Sequence, residues 1–459
     1  MAGFTIVPRH VLGGKGFIAP SDKLNIAGIG VGGRGSGVLK GLYNGGTENI
    51  VALCDVDDRR AADTYKTYSK ANRYKDFRKM LEKEGKNIDG VAIATPDHTH
   101  AVIAMAAMQM GKHVYVEKPL THNIYETRLL TETAKKNKLV TQMGNQGSSG
   151  DGVRQITEWI QAGVIGEVTK VHCWTNRPIW PQGIPTPVGK QPLPKELDWD
   201  LWLGPAAMRP YNEAYLPFKW RGWWDFGTGA LGDMGCHIID PPFKALQLGY
   251  PVAVEASVGQ VYSGDFVLAD YSDSCPPSSK VHFEFPARNG MPAVELIWYD
   301  GGIMPKRPME LESGEAFGNS DGGCLFEGSR GKLLCDVYGK NPRLLPLKSM
   351  EYFKQPEPTL ERVPEGHQQN WVKAIKEGTP TSSDFSYSGP LTETVLMGNL
   401  AIRSYNYKVL KPGKKVGDWD PYDFPGRNRL EWDGANMRIT NFDLANQFVK
   451  REYRKGWEL

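Results

Sequence analysis

The chain has 459 residues, which is too long for one ordinary hydrophobic core and predicts two or three domains. Hydrophobic residues make up 40% and charged residues 23% of the sequence, and the net charge of +3 at pH 7 argues against nucleic-acid or membrane-surface partners. No apolar run reaches the roughly 18 residues of a membrane-spanning helix, and the six cysteines include no Cys-x-x-Cys pair of the kind that binds zinc.

Residues 1–22 precede the first clear strand and form either an N-terminal arm or the remnant of an export-signal region. The stretch AGFTIVPRHVLGG resembles the residues found directly after a hydrophobic export segment, which favours a periplasmic or otherwise exported protein. The alternative is a native arm that packs on the surface of a cytoplasmic protein.

Residues 23–150 alternate short apolar runs with helical patterns, and this alternation predicts a parallel α/β sheet. The predicted strands are KLNIAGIG, NIVALCDV, IDGVAIAT, KHVYVEKP and KLVTQMGNQ. Their nearly continuous apolar character is typical of strands whose two faces are covered by helices. Ligands of such sheets bind outside the carboxyl ends of the strands, so the residues directly after each strand are the candidates for a site.

The first strand leads into the sequence GIGVGG, in which Gly28, Gly30 and Gly33 satisfy the G-x-G-x-x-G pattern before a helix. Asp55 ends the second strand, which is the context of a dinucleotide fingerprint in a Rossmann domain. The glycines would admit a pyrophosphate to the amino end of the helix, and Asp55 would accept hydrogen bonds from the adenosine ribose. The alternative is a glycine turn without a ligand.

Asp55 also bears on the choice of cofactor, because its carboxylate would repel a 2′-phosphate. NAD is therefore favoured over NADP as the cofactor. Arg34 and the pair Arg59/Arg60 keep NADP possible, since each could hold that phosphate.

Two stretches that follow later strands complete the predicted cofactor cleft. In ATPDHTHA, Thr95 and Pro96 leave the carboxyl end of a strand, and Asp97 can cap the next helix. His98 and His100 form an H-x-H that suggests a metal, but its position favours a wall of the cofactor cleft. The predicted cofactor-binding residues besides the glycines and Asp55 are Arg34, Thr95, Pro96, His100, Glu117, Lys118 and Asn145.

The stretch VYVEKPL places Glu117 and Lys118 at another strand end, so both side chains should face the same cleft. A lysine beside the cofactor could donate a hydrogen bond to a substrate hydroxyl as its carbon is oxidised. A surface lysine in a salt bridge explains the spacing equally well.

Beyond residue 151 the sequence alternates apolar and polar residues, as in EVTKVHCWT, VHFEFP and VELIWYD, which predicts half-buried antiparallel strands. We assign residues 151–410 to a second, substrate-binding α/β domain. Residues 411–459 form a polar and aromatic C-terminal extension with no obvious core of its own. We expect a homo-oligomer, a dimer or tetramer, in which this extension could serve as an arm.

The stretch WDFGTGALGDMGCHIIDPP places Asp233, His237 and Asp240 at helical spacings behind a run of glycines. These spacings predict three side chains on one face of a helix. A metal site, an acid/base site and a solvated polar face are three interpretations of the pattern.

Together, these motifs resemble the Gfo/Idh/MocA family of oxidoreductases. The resemblance rests on the glycine motif, Asp55, the Glu117-Lys118-Pro119 strand end and the Asp233-x-x-x-His237 helix, and it covers residues 23–405. It implies an α/β protein with an N-terminal Rossmann domain and a C-terminal α/β domain that has a large, mostly antiparallel open sheet. The active site would lie between these domains.

The resemblance also implies catalytic roles. Lys118 matches the lysine of the family's Glu-Lys-Pro motif and would polarise the substrate oxygen. His237 would take the hydroxyl proton while hydride leaves the same carbon for nicotinamide, and Asp233 would hold a neighbouring hydroxyl or orient the imidazole. We assign Asp240 a structural role and predict no metal, with a metal held by Asp233, His237 and Asp240 as the alternative.

The predicted substrate side is rich in tryptophan, since seven of the thirteen tryptophans lie between Trp174 and Trp224. Such rings can stack on the C–H faces of sugars, although we expect about half of these to be core residues. Aromatic rings with polar side chains beside them suit a carbohydrate or cyclitol better than a small hydroxy acid. The predicted substrate-binding residues are Arg177, Trp180, Arg221, Asp233 and His237.

Three functions fit these motifs. The first is a nicotinamide-dependent sugar or cyclitol dehydrogenase. The second is a redox-neutral enzyme with tightly bound NAD, which oxidises a sugar carbon, cleaves a glycosidic bond by elimination and returns the hydride. The third is a binding protein with a vestigial cofactor fold, against which the intact set of Lys118, Asp233 and His237 argues.

Overall fold

The computed structural model describes residues 18–459. The export-related stretch and most of the predicted arm of residues 1–22 lie outside the described residues. Two large sheets and the helices around them make up most of the described chain. Within it, no helix combines the length and the apolar sequence that crossing a bilayer requires.

The N-terminal sheet is built from six strands: β1 (Asn25–Ile29), β2 (Asn49–Cys54), β3 (Asn72–Tyr74), β4 (Gly90–Ile93), β5 (His113–Val116) and β6 (Thr141–Met143). Its helices are α1 (Arg34–Tyr43), α2 (Asp58–Thr67), α3 (Phe77–Glu84), α4 (His100–Gln109) and α5 (Ile124–Asn137). The strands are parallel and lie in the order β3-β2-β1-β4-β5-β6. The order reverses between β1 and β4, which is the switch point where doubly wound sheets bind ligands. The predicted Rossmann domain is confirmed.

The strands of this sheet differ in how clearly the sequence marks them. All four residues of β4 are buried, as expected for a central strand that helices cover on both faces. The edge strand β3 has three residues that are exposed or half-buried, so it carries no apolar run and the sequence does not predict it.

The rest of the chain contributes strands β7 (Val168–Thr175), β8 (Ala253–Val258), β9 (Tyr262–Gly264), β10 (Val267–Leu268), β11 (Ser279–Phe285), β12 (Val294–Tyr299), β13 (Gly322–Gly328), β14 (Gly331–Asp336), β15 (Arg343–Leu345), β16 (Val409–Leu410), β17 (Tyr422–Asp423), β18 (Leu430–Asp433) and β19 (Arg438–Ile439). Its helices are α6 (Asp151–Gln161), α7 (Trp199–Leu203), α8 (Gly229–Ile238), α9 (Asp240–Ala245), α10 (His367–Glu377) and α11 (Phe385–Ser404).

Nine of these described strands form one large sheet, in the order β15-β14-β13-β7-β12-β11-β8-β18-β19. The β7–β12 pair is parallel and the other pairs are antiparallel. The strands β9–β10 and β16–β17 form separate two-stranded ribbons. The predicted large, mostly antiparallel open sheet is confirmed.

The C-terminal extension is integrated into the fold. Strand β18 pairs with β8, with Leu430 opposite Val254, and so extends the large sheet. Trp432, Phe442 and Ala445 are buried in the same apolar core as the rest of the domain. This part of the predicted oligomer arm therefore packs on its own chain.

Two helices of the predicted second domain pack against the first. Trp371 of α10 is fully buried in one apolar cluster with Ile26 and Leu39 of the Rossmann domain. Helix α11 packs along α5, where Arg128 and Glu393 form a salt bridge of 2.7 Å. Helices that follow the predicted boundary at residue 150 thus pack on the domain that precedes it. Both parts of the chain line the cleft between the sheets.

Candidate active site

A cavity of about 540 Å³ opens where β1, β2, β4 and β5 end, facing α8. The sequence-predicted residues that line it are Gly30, Gly33, Arg34, Asp55, Thr95, Pro96, Glu117, Lys118, Arg177, Arg221, Asp233 and His237. One cavity therefore collects most of the predicted cofactor-binding residues and the predicted catalytic residues.

Gly28 in β1 and Gly30 in the loop that follows it have different structural roles. A Cβ atom on Gly30 would lie 2.7 Å from Thr95 Cγ2, and Gly30 has a φ of 73°, so a side chain is excluded at the cavity floor. Gly28 does not line the cavity, because it lies beneath the loop. A Cβ atom there would lie 2.8 Å from Leu39 Cδ1, so Gly28 allows α1 to pack closely on β1.

Asp55 fixes the glycine loop as well as lining the cavity. Its Oδ2 accepts hydrogen bonds from the backbone N–H groups of Val31 over 2.9 Å and Gly32 over 3.1 Å. Its Oδ1 accepts one from the N–H of Asp57 over 3.0 Å. Burial raises the pKa of Asp55, and these three hydrogen bonds limit the rise by favouring the charged form.

The cradle formed by this loop fits a dinucleotide pyrophosphate. Helix α1 begins after Gly33, and among the described residues no side chain caps its amino end, so an anion can bind its free N–H groups. A Cβ atom on Gly33 would lie 2.8 Å from a guanidinium nitrogen of Arg60. The cradle therefore offers an anion free N–H groups and a positive charge.

The two histidines of the H-x-H lie behind the cavity wall that Thr95 and Pro96 form. His100 is 1% exposed, and its two ring nitrogens each lie 2.9 Å from a carbonyl oxygen, those of Pro119 and Thr95. His98 makes the same kind of contact with two other backbone carbonyl groups. This burial contradicts a direct cofactor contact by His100, which instead ties together the loops that follow β4 and β5.

Glu117 anchors a polar cluster on the cavity wall. Arg34 Nε donates a hydrogen bond to Glu117 Oε1 over 2.8 Å, and Gln146 Nε2 donates to the same oxygen over 3.3 Å. Asn145, predicted to bind the cofactor, is fully buried and does not line the cavity. Its side-chain amide has no hydrogen-bond partner among the described residues, and its neighbour Gln146 reaches the cavity instead.

Asp233 lies at the centre of three cationic side chains. Lys118 Nζ donates hydrogen bonds to Asp233 Oδ1 over 2.8 Å and to the Asp233 carbonyl oxygen over 2.6 Å. Arg221 Nε donates to Oδ1 over 3.1 Å, and Arg177 Nε lies 3.9 Å from Oδ2. Burial alone would raise the pKa of Asp233, but Lys118 and Arg221 outweigh it and hold that pKa well below its ordinary value. Asp233 is thus an ionised carboxylate that positions Lys118 and two arginines.

His237 lies one turn after Asp233 on α8 and is 4% exposed. Its ring packs edge-to-face with that of Tyr338, with 4.7 Å between centroids, and its Nδ1 has no partner among the described residues. Burial lowers the pKa of His237 well below its ordinary value, and the positive charge of Lys118 acts in the same direction. The imidazole is therefore neutral and able to accept a proton in the cavity.

Asp240 does not line the cavity with Asp233 and His237, although the spacing predicts all three side chains on one helical face. Helix α8 ends before it, and α9 begins at Asp240, because the two prolines that follow have no N–H to continue α8. Asp240 Oδ1 accepts a hydrogen bond from the Tyr387 hydroxyl over 2.5 Å, in a network separate from that of Asp233. In residues 18–459, no group of three or more His, Cys, Asp or Glu side chains is arranged to hold a metal ion.

Most tryptophans of the predicted substrate side are core residues. Six of the seven are buried, more than the half expected, and Trp199 and Trp202 stack with 4.8 Å between ring centroids. Trp180 is buried, donates to Gln182 Oε1 over 2.9 Å and does not line the cavity, which argues against its predicted role in substrate binding. Trp202 and Trp220 line the cavity instead.

The cavity wall also includes residues that were not predicted as site residues, among them Asp97, Tyr338 and Trp457. Burial raises the pKa of Asp97 to about 7, although the Thr228 hydroxyl donates to its carboxylate over 2.6 Å. Asp97 makes this contact rather than capping α4. Tyr338 follows the end of β14 in a Tyr-Gly turn, which is a signal for a residue at a strand end, whereas no local pattern marks Trp457.

Two sequence profiles of one family match the chain. The profile described as "Oxidoreductase family, NAD-binding Rossmann fold" matches residues 24–145, and its companion, "Oxidoreductase family, C-terminal alpha/beta domain", matches residues 150–264. The two matches cover just over half of the chain. The chain belongs to the Gfo/Idh/MocA family. Its resemblance to this family and its NAD-binding Rossmann domain are thereby confirmed.

Curated relatives of this Gfo/Idh/MocA protein match over part of their length. Inositol 2-dehydrogenase of Salmonella typhimurium is 32% identical over 31% of the chain and 43% of its own length. Levoglucosan dehydrogenase of Pseudarthrobacter phenanthrenivorans is 26% identical over 41% of the chain and 40% of its own length. Glycosyl hydrolase family 109 protein 1 of Bacteroides fragilis is 35% identical over 29% of the chain and 31% of its own length. The matched region thus spans less than half of each relative.

Solved structures share the fold over most of the chain. Levoglucosan dehydrogenase in complex with NADH has a TM-score of 0.55 at 18% identity, covering 83% of this chain and 98% of that chain. An inositol dehydrogenase homologue of Azotobacter vinelandii, with NADH and myo-inositol, has a TM-score of 0.52 at 18% identity, covering 81% and 93%. At this identity the comparison concerns the fold alone.

Proposed function

We propose that this protein is a nicotinamide-dependent oxidoreductase that removes hydride from a hydroxyl-bearing carbon of a sugar or cyclitol. The observation that carries the proposal is the meeting of Lys118, Asp233 and His237 in the cavity that holds the glycine cradle. The family membership and the names of the curated relatives support the same chemistry.

NAD, when bound, supplies the acceptor for the hydride. His237, neutral because it is buried, takes the hydroxyl proton of the substrate as the carbon becomes a carbonyl. Lys118 has three N–H groups, of which two are bonded to Asp233, so one remains to hold the substrate oxygen and stabilise its developing charge. Asp233 keeps this ammonium group in place.

The proposed substrate class follows from the two arginines beside Asp233 and the aromatic ring next to them. Arg177 and Arg221 offer planar arrays of N–H donors, and the ring of Trp220 lies beside the Arg221 guanidinium at 4.2 Å. Donors beside an aromatic ring suit a molecule with several hydroxyl groups and apolar C–H faces. We therefore place a carbohydrate or cyclitol there.

The test uses the full-length protein with NAD and a panel of sugars and cyclitols. Absorbance at 340 nm is recorded for each compound, and we expect a rise with at least one of them. If every compound of the panel binds, as calorimetry would report, without an absorbance change, the oxidoreductase proposal fails.

A redox-neutral reaction is the second candidate, and the names of the family 109 glycosyl hydrolases favour it. Oxidation of one sugar carbon acidifies the neighbouring C–H, so a base can remove that proton and the glycosidic oxygen leaves. Water then adds, and the hydride returns to the carbonyl carbon. Stoichiometry separates the two candidates: a dehydrogenase forms one NADH for each product, whereas this reaction releases a sugar with no net NADH.

Export and self-association are further proposals. The stretch AGFTIVPRHVLGG supports a periplasmic or otherwise exported location, with the cytoplasm as the alternative. The ribbon β9–β10 exposes Tyr262, Phe266 and Val267, which supports burial against a second copy in a dimer or tetramer. Fractionation of cells that express the native gene tests the location, and light scattering tests the assembly. A cytoplasmic protein or a monomer would contradict the respective proposal.

A further inference from the structure

The last residues of the chain close one side of the cofactor cavity. Trp457 lines the cavity together with Phe77, and 6.1 Å separates their ring centroids. The Arg78 guanidinium lies 4.3 Å from the Trp457 ring centroid, which adds a cation–π contact. The indole is 8% exposed, so it is a packed part of the wall.

Polar contacts fix residues 449–457, the terminal strap, in this position. Arg451 pairs with Glu126 at 2.6 Å and donates to the carbonyl oxygen of His98 over 2.6 Å. The Tyr453 hydroxyl donates to Glu126 Oε1 over 3.0 Å, and Arg454 Nε donates to the backbone after α7 over 2.8 Å. Because Glu126 is fully buried, displacement of the strap would leave a buried charge unpaired. The strap is therefore held in place on the Rossmann domain.

The strap covers the end of the cavity that an adenosine would occupy. Asp55 marks the position of the adenosine ribose, because an acidic residue at the end of the second strand binds it in dinucleotide folds. Beyond Asp55 the cavity is lined by Phe77 after β3 and by Thr99 after β4. A Cβ atom on Gly204 would lie 3.0 Å from Thr99 Cγ2 and 3.5 Å from Trp457 Cζ3. The indole thus lies between the ends of β3 and β4, beyond the ribose position.

We propose that Trp457 contacts the adenine of the bound dinucleotide and that the terminal strap slows its release. Adenine has apolar faces that pack on aromatic rings, and such contacts are lost on substitution by alanine. The strap would also make NAD a slowly exchanging cofactor rather than a freely exchanging substrate. The inference rests on the proposed function for the identity of the cofactor, but it concerns binding alone and needs no sugar.

The test measures the release of NADH from the full-length protein in the absence of any sugar. Bound NADH is chased with excess NAD, and the fall of its fluorescence gives the dissociation rate. Calorimetric titration with ADP-ribose then isolates the adenosine end. We expect W457A to speed NADH release and weaken ADP-ribose binding by a similar factor, about fivefold or more. W457F should show smaller changes in NADH release and ADP-ribose affinity, because it keeps an aromatic ring.

Y453F is the matched control, because it removes a contact of the strap without changing the cavity wall. We expect Y453F to speed NADH release less than W457A does, because it weakens one contact of the strap but keeps the indole in the cavity wall. Equal acceleration in Y453F and W457A would overturn the adenine contact, since the effect would then come from loosening of the strap. Unchanged release in W457A, or a loss of affinity for NADH without one for ADP-ribose, would overturn it as well.

If W457A does not fold, hydrogen exchange of the unmodified protein decides the question. ADP-ribose should protect the backbone amides of residues 449–457, and unchanged exchange there would overturn the inference. Failure of the proposed function gives a different pattern: the unmodified protein would bind no NADH, or would bind it and oxidise no sugar. If the unmodified protein and the Trp457 variants bind NADH equally well, this inference alone fails.

Discussion

Lys118 Nζ lies 2.8 Å from Asp233 Oδ1, and this pair joins the end of β5 in the Rossmann domain to α8 in the second domain. The two residues are 115 positions apart in the chain. Their side chains are 13% and 12% exposed, so the pair is shielded from water and stronger than a surface salt bridge. This contact therefore helps to hold His237 in place relative to the cofactor cradle.

Replacement of Lys118 by methionine should slow hydride transfer while leaving NAD binding nearly unchanged. The substrate oxygen would lose its charged donor, and loss of such a donor typically costs about 10²- to 10³-fold in rate. A single-turnover measurement at 340 nm reports the rate, and calorimetry reports NAD affinity. The matched control is Lys136→Met on the exposed part of α5, which removes the same charge far from the cavity. Equal rates in both variants would exclude Lys118 from the reaction.

The pH dependence of kcat/KM should reflect the burial of His237. A general base acts only when it is deprotonated, so activity is lost as pH falls through its pKa. Because burial holds the pKa of His237 well below 6.5, we expect kcat/KM to stay constant through pH 6.5 and to fall only at lower pH. An acid limb centred at or above pH 6.5, and absent in His237→Gln, would contradict this account of the base.

Asp55 should set the preference for NAD over NADP. Asp55→Asn keeps an oxygen that can accept the N–H groups of the glycine loop but removes the charge that repels a 2′-phosphate. We expect the ratio of NADP to NAD dissociation constants, measured by calorimetry, to fall in this variant and to stay unchanged in Asp63→Ala, an exposed acid on α2. Tighter binding of NADP than of NAD by the unmodified protein would contradict the assignment.

The buried pair between α5 and α11 should contribute to stability. Arg128→Met would leave Glu393, 1% exposed in its side chain, without a cation, and breaking such a pair typically costs about 3–5 kcal/mol. Arg429→Met is the control, since its pair with Glu284 is 43% and 47% exposed and should be worth about 1 kcal/mol or less. Urea unfolding measures the loss of unfolding free energy in both variants. Equal losses of unfolding free energy would mean that the Arg128–Glu393 pair stabilises the fold no more than a surface pair does.

The sequence predicts the cavity well where residues follow central strands. Parallel strands bring their carboxyl ends to one edge of the sheet, so Asp55, Thr95 and Lys118 could be placed together from three separate motifs. The spacing of Asp233 and His237 likewise puts them one turn apart on α8. Local sequence patterns therefore suffice to place side chains that lie on a helix or directly after a central strand.

Other parts of the cavity depend on contacts between distant segments, which local patterns do not encode. Trp457 reaches the cavity because the terminal strap docks on Glu126, more than 300 residues earlier in the chain. His100 could be placed near the cleft, but its burial follows from two backbone carbonyl groups that only the folded loops supply. The separate environment of Asp240 likewise depends on Tyr387, 147 positions later in the chain, whose hydroxyl donates to its carboxylate.

The proposed role of His237 is to accept a proton while hydride moves from a sugar carbon to the cofactor. Both the dehydrogenase and the redox-neutral reaction require this step, so a stopped-flow record at 340 nm with protein in excess over substrate tests it directly. We predict a transient or lasting rise in the unmodified protein that slows about 10²- to 10⁴-fold in His237→Ala, with NAD affinity preserved. A rate in His237→Ala within about threefold of that of the unmodified protein, far below that loss, would contradict the account.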